Sequence, residues 1–128
     1  MIKVSTSVLS LKDEDYVHSF YNLETAKTDY FHIDVMDGKF VKNNTEKRMK
    51  EYSMALSHIS TLGLDVHLMV QNVEEFIDEF IEFEPRIISF HIEAIKEKDR
   101  ILNIIDDLKR NNIRVRISNK SKNKYRWD

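Results

Sequence analysis

Tyr30-Phe31-His32-Ile33-Asp34-Val35-Met36 is the stretch on which the fold turns. It is rich in β-branched and aromatic residues, and side chains two apart on a strand share a face. Phe31, Ile33 and Val35 therefore form an apolar face, and His32, Asp34 and Met36 an opposite, mostly polar one. Asp37-Gly38 then opens a loop. Outward from this strand the chain alternates. Upstream, Ile2 to Val8 reads as a strand, followed by a helix near Asp13 to Leu23 with Tyr16, Val17, Phe20 and Leu23 along one stripe. Downstream, Met49, Tyr52, Leu56 and Ile59 recur at helical spacing, and Leu64 to Val70 is a third strand. Asn72 is placed as an N-cap with Glu75 three residues on, ahead of a buried stripe of Val73, Phe76, Ile77, Phe80 and Ile81. Ile87 to Ile92 is a fourth strand, Ile101, Ile104, Ile105 and Leu108 mark a fourth helix, and Ile113 to Ile117 begins a fifth strand. Strands alternating with helices of this length predict parallel βαβ units and an α/β fold.

The 128 residues suit one domain, and 41% hydrophobic content is enough for a real core. A formal net charge of −2 gives no broad electrostatic footprint for nucleic acid or an anionic membrane, so neither is expected as a partner. The absence of cysteine excludes disulfides, thiolate metal sites and a cysteine nucleophile, and agrees with a reducing compartment. No stretch has the length of a secretion signal or a membrane span, so a cytoplasmic location is expected. The unusual figure is two glycines and one proline, where average usage would give roughly nine and six.

Parity places chemistry on one face of four consecutive strands. Ser5 and Ser7, then His32, Asp34 and Met36, then Asp65, His67 and Met69, then Ser89, His91 and Glu93 oppose the apolar positions. In a parallel barrel that face is the lumen, and sites gather at the carboxyl ends of the strands. His32, Asp34 and His67 supply two imidazoles and a carboxylate, a suitable set for a divalent metal with an open position. A carboxylate beside a metal can abstract a proton next to a carbonyl. A strand histidine can equally be a hydrogen-bonded packing residue, and on the residues alone both readings stay open. His91 and Glu93 read as a structural pair, and His18 and His58 as surface residues of helices.

Four segments carry a resemblance. His32-Ile33-Asp34-Val35-Met36-Asp37-Gly38-Lys39-Phe40-Val41 resembles a signature of ribulose-phosphate 3-epimerases, and Leu64-Asp65-Val66-His67-Leu68-Met69-Val70 resembles their second one. Ser7-Val8-Leu9-Ser10 and Phe90-His91-Ile92-Glu93-Ala94 resemble the first- and fourth-strand motifs. Their order and spacing follow the family from Met1 to about Ile117. The resemblance implies the N-terminal half of a (β/α)8 TIM barrel, about four βα units plus a fifth strand. It also implies a metal-dependent isomerase of carbohydrate metabolism, in the pentose phosphate pathway, that inverts C3 of D-ribulose 5-phosphate to give D-xylulose 5-phosphate. By position, His32, Asp34 and His67 would be ligands of a divalent ion (zinc, iron, manganese or cobalt), and Asp34 a catalytic acid/base. Ser7, Met36, His67 and Met69 would contact the phosphorylated ketose. In the loop that holds Asn43, Lys42 stands where the family has proline.

The same resemblance places a second carboxylate near the seventh strand and glycine-rich phosphate loops after strands six to eight, beyond the motifs found in this chain. Residues 1–117 are thus expected to be a partial ribulose-phosphate-binding barrel that lacks the second acid/base and the phosphate site. Residues 118–128 form a lysine-rich tail outside the family pattern, expected to be disordered. Back-translated with AT-rich codons and read one base later, that tail becomes Ala-Ile-Asn-Pro-Lys-Thr-Asn-Ile-Asp-Gly, which restores the family's fifth-strand motif and marks the tail as out of frame. The alternative is a naturally shortened domain. For function, the alternatives are a non-catalytic half-barrel that binds or assembles, and an epimerase for another ketose phosphate such as allulose 6-phosphate. Pairing of two copies is a further expectation, because half a barrel leaves sheet edges open.

Overall fold

The computed structural model describes residues 3–9, 11, 16–119 and 124–127. Its strands are β1 (Ser5–Ser7), β2 (Tyr30–Met36), β3 (Gly63–Met69), β4 (Ile87–His91), β5 (Arg114–Asn119) and β6 (Lys124–Trp127). Between them run α1 (Tyr16–Thr25), α2 (Glu46–Ile59), α3 (Val73–Phe80) and α4 (Lys98–Arg110), with single 3-10 turns at Ile81–Phe83 and Ile92–Ala94. The sheet is ordered β1-β2-β3-β4-β5-β6, and β1 to β5 are parallel. Four βα units and a fifth parallel strand give the α/β order expected from the alternation and agree with the half-barrel that the resemblance implies.

Each helix forms because its apolar residues recur on one side. In α3, Val73, Phe76, Ile77 and Phe80 are buried, while Glu74 and Glu75 lie in the first turn, where the helix dipole favours negative charge. Asn72 occupies the N-cap, yet its side chain does not cap the backbone; its amide donates to Glu75 Oε2 at 3.2 Å. In α4, Ile104 and Leu108 are buried, and Ile101 and Ile105 pack at the margin of the core. The core lies between these helices and the outer face of the sheet. Phe31, Ile33 and Val35 of β2, Val66 and Leu68 of β3, and Ile88 and Phe90 of β4 are fully buried there against Phe20, Met49, Leu56 and Phe80. Each such side chain contributes about 1.5–3 kcal/mol on burial. β2 alternates strictly between buried and half-buried residues, whereas β3 and β4, inside the sheet, are covered on both faces.

With two glycines, the chain turns out of its helices on other residues. Lys27, Glu84 and Asn112 adopt left-handed backbone with φ of 65°, 54° and 60°, a conformation that costs a non-glycine residue roughly 1 kcal/mol. Gly63 has a different role. A β-carbon there would sit 2.5 Å from Cδ of Arg86, whose side chain lies across the start of β3.

The described part of the tail departs from expectation, while residues 120–123 and 128 lie outside the described residues. β5 continues through Ser118 to Asn119, and Lys124–Trp127 pairs antiparallel with it, Arg116 opposite Trp127 and Asn119 opposite Lys124. Lysine density suggested a solvated coil, but Lys124-Tyr125-Arg126-Trp127 alternates charged with aromatic residues, a pattern suited to a strand. β5 would otherwise present a row of unpaired backbone groups, which such a segment satisfies. Met1, Ile2, Ser10 and the start of the first expected helix, Asp13 to Asp15, lie outside the described residues.

Candidate functional site

β2 and β3 run parallel with His32 opposite Asp65, Asp34 opposite His67 and Met36 opposite Met69. Alternation then puts all six side chains on the face turned away from the helices. His32, Asp34 and His67 each offer a ligand atom, and these atoms lie within 4.8 Å of one another. Asp34 Oδ1 stands between the rings, 3.0 Å from His32 Nε2 and 3.4 Å from His67 Nδ1. Two imidazole nitrogens converging on a carboxylate fit zinc or a similar divalent ion by the chemistry of their donors. Met36 and Met69 flank the cluster, both half-buried at the carboxyl ends of their strands. Ser7 is exposed on β1, and its hydroxyl donates to Asp34 Oδ2 at 2.9 Å.

The polar groups around the cluster are tightly held. Asp65 is 1% exposed and accepts hydrogen bonds from Ser5 Oγ at 2.8 Å and from His32 Nδ1 at 3.0 Å. Arg116 of β5 reaches the same carboxylate at 3.5 Å. Thr45, which precedes α2, leaves that helix uncapped. Its hydroxyl donates to the Asp34 carbonyl at 2.7 Å and accepts from the Met36 amide at 2.9 Å, clamping the end of β2. Asp37 folds the following loop, Oδ1 accepting from the amides of Lys39 and Phe40 and Oδ2 from that of Gln71, each at 2.8 Å. Gly38 takes φ of 76° in that turn, and the loop carries the Phe40 ring to 5.2 Å from the His91 ring. Lys42 and Asn43 are exposed.

Electrostatics follow from these contacts. Burial disfavours the charged form of His32, but hydrogen bonds to Asp34 and Asp65 and their negative charges outweigh it and push the imidazole up to about 9. Burial would likewise raise Asp34, yet hydrogen bonds from His32, His67 and Ser7 hold it far below the usual carboxylate range. Asp65 is lowered in the same way, against its burial, by His32, Ser5 and Arg116.

The structure brings His32, Asp34, His67, Ser7, Met36 and Met69 to one end of the sheet. His91 keeps its expected pairing with Glu93 and has a closer partner in His67. Glu93 is 4.0 Å from His91 Nδ1, whereas His67 Nε2 lies 3.0 Å from His91 Nε2. The reason is register: inner-face residues of adjacent strands meet more closely than residues two apart on one strand that ends at His91. His18 and His58 are exposed, on α1 and α2. Asp65, Thr45 and Arg116 are partners of the site that the sequence does not mark as such. Parity did place Asp65 on the inner face, but no spacing rule links it to His32, and nothing in the sequence marks Thr45.

Parallel βα units with imidazole and carboxylate donors at the carboxyl rim define the class, a chain of the (β/α) barrel type with its site at the strand ends. The profile of the ribulose-phosphate 3 epimerase family matches residues 3–122, and the chain belongs to that family. The match runs past Ile117. Ribulose-phosphate 3-epimerase of Methanocaldococcus jannaschii is 38% identical over 113 residues, 84% of this chain and 44% of the relative. The Helicobacter pylori and Bacillus subtilis proteins of the same name are 37% and 35% identical, again over 84% of this chain and 48% of their own length. The chain spans about half the length of the curated relatives it matches. Among the described residues no helix is long and apolar enough to cross a membrane.

Proposed function

We propose that this chain forms the metal-binding and proton-abstracting half of a pentulose-phosphate 3-epimerase site, with D-ribulose 5-phosphate as substrate and a cytoplasmic setting. The observation that carries the reading is the convergence of His32 and His67 on Asp34 at the carboxyl rim of the sheet. His32, Asp34 and His67 would hold a divalent ion, which supplies positive charge beside the oxygen that gains charge as the C3 proton leaves. Asp34 takes that proton. The Ser7 hydroxyl orients the sugar, and Met36 and Met69 keep water from the face on which the carbanion forms.

Returning a proton to the opposite face requires a second acid, and holding the phosphate requires further backbone donors. By the family resemblance both belong to later barrel strands, in the part of the relatives beyond the matched half. A polypeptide of these 128 residues alone is therefore proposed to bind metal without turning substrate over. The half-length match also supports a second reading, a module that binds metal or phosphosugar and pairs with another polypeptide.

Calorimetric titration of metal-stripped protein with zinc or manganese tests the site. With three protein donors, binding should be weak and readily reversed by a chelator, and His67→Ala should abolish the heat. Equal binding by His67→Ala would overturn the assignment.

A further inference from the structure

We propose that His91 is a positioning residue for His67, and that a single proton shared between their facing Nε2 atoms sets which nitrogen of His67 is free to bind metal. The inference rests on the metal reading above. The two Nε2 atoms are 3.0 Å apart in a buried contact, with ring centroids 5.1 Å apart and planes 21° from parallel. His67 and His91 are 2% and 8% exposed, so the contact is direct. At that separation the pair needs one proton between the nitrogens, because two N–H groups would collide and two lone pairs would repel.

The other nitrogen of His67, Nδ1, faces Asp34 Oδ1 at 3.4 Å. A metal-binding imidazole offers a lone pair and carries its proton on the other nitrogen. Metal at Nδ1 therefore requires Nε2–H on His67, and His91 Nε2 must accept it. His91 then carries its own proton on Nδ1, the atom that faces Glu93 Oε1 at 4.0 Å. Without metal, Nδ1–H of His67 can donate to Asp34, and the shared proton then sits on His91. Each state gives both rings a defined tautomer, and the number of protons on the pair is unchanged. His91 is held in place for this by β4, where it pairs with Ser118, and by the Phe40 ring at 5.2 Å. The signature residues His67 and His91 thereby act as one unit across two strands.

The test uses His91→Phe, which keeps a ring without an acceptor, and His91→Gln, which restores an acceptor oxygen. Zinc affinity should fall about 10–100-fold in His91→Phe, and His91→Gln should recover most of the loss. Long-range 15N–1H spectra of the zinc-loaded wild type should show Nε2–H on His67 and Nδ1–H on His91. Wild-type affinity in His91→Phe, or Nε2–H on His91 in the zinc-loaded protein, overturns the proposal. If His91→Phe does not fold, the wild-type spectra decide alone. If the wild type binds no zinc, the metal reading fails, and the metal-free spectra still judge His91. Complementary tautomers on the two rings support the shared proton, and independent exchange on each ring refutes it.

Discussion

Asp65→Ala removes a carboxylate that three groups share. Ser5 Oγ and His32 Nδ1 donate to Asp65 at 2.8 and 3.0 Å, and the Arg116 guanidinium stands 3.5 Å away. A hydrogen bond to a charged group contributes about 1.5–3 kcal/mol, and stripping one partner from a buried ion pair costs about 3–5 kcal/mol. The side chains of His32 and Arg116 are 23% and 19% exposed, so water reaches them once Asp65 is gone. The low end of both ranges then applies, a loss of about 3 kcal/mol. Against a typical domain stability of about 5–15 kcal/mol that is severe, and it should move the urea midpoint of the metal-free protein down by about 1–3 M. Asp65→Asn keeps an acceptor for His32 and should lose about half as much. Combining Asp65→Ala with His32→Gln should give a coupling of about 1–2 kcal/mol, because each change removes the same contact. A loss under about 1 kcal/mol, or two changes that simply add, would refute the reasoning that Asp65 and His32 form one buried unit.

Three further outcomes are expected. Purified protein of this sequence should give no detectable conversion of ribulose 5-phosphate with metal added, since losing an acid/base group costs about two to four orders of magnitude; turnover near that of a full-length relative would instead indicate two half-barrels sharing a site. In metal-free protein, His32 binds its proton more tightly when folded than an ordinary histidine, titrating at about 9 rather than 6.5. Its contribution to stability is then complete below about pH 6.5 and disappears as pH rises through about 9, so urea midpoints should fall across that window in the wild type and not in His32→Gln. The exposed edge of β1 and the outer edge of β6 should drive self-association, and light scattering that shows a cooperatively melting monomer would contradict this.

Much of this arrangement was legible in the sequence because β2 is so regular. Phe31, Ile33 and Val35 against His32, Asp34 and Met36 gave the strand, its buried face and half of the site by parity alone. Parity also put His67 and His91 on the inner face, but it did not show their contact with each other. Which inner residues touch depends on the stagger between strands, and stagger is set by the crossovers. That is why the sequence shows the His91–Glu93 pair within one segment but not the closer contact with His67 on the next strand. Thr45 was invisible for another reason. A threonine ahead of a helix reads as a cap, and only the fold shows its hydroxyl turned back onto β2. The tail misled because lysines dominate its composition, while its strand pairing comes from the open edge of β5.

The strand order has a consequence for how the chain acquires its shape. Every strand pairs with its predecessor: Ser5 with Tyr30, Tyr30 with Gly63, Asp65 with Ile87, Ile87 with Arg114, and Arg116 with Trp127. Among the described residues, each pairing joins neighbours in sequence order. As synthesis proceeds, β2 can dock on β1 once α1 has emerged, and each later strand meets an edge already in place. The loop closed at each step is one crossover, and closing longer loops adds only slowly to the entropic cost. Local pairing of this kind favours fast, stepwise growth over a search among distant strands. The site is assembled along the way: Ser7 comes first, then His32 and Asp34, then His67, and the ring of His91 arrives with the fourth strand to close against it.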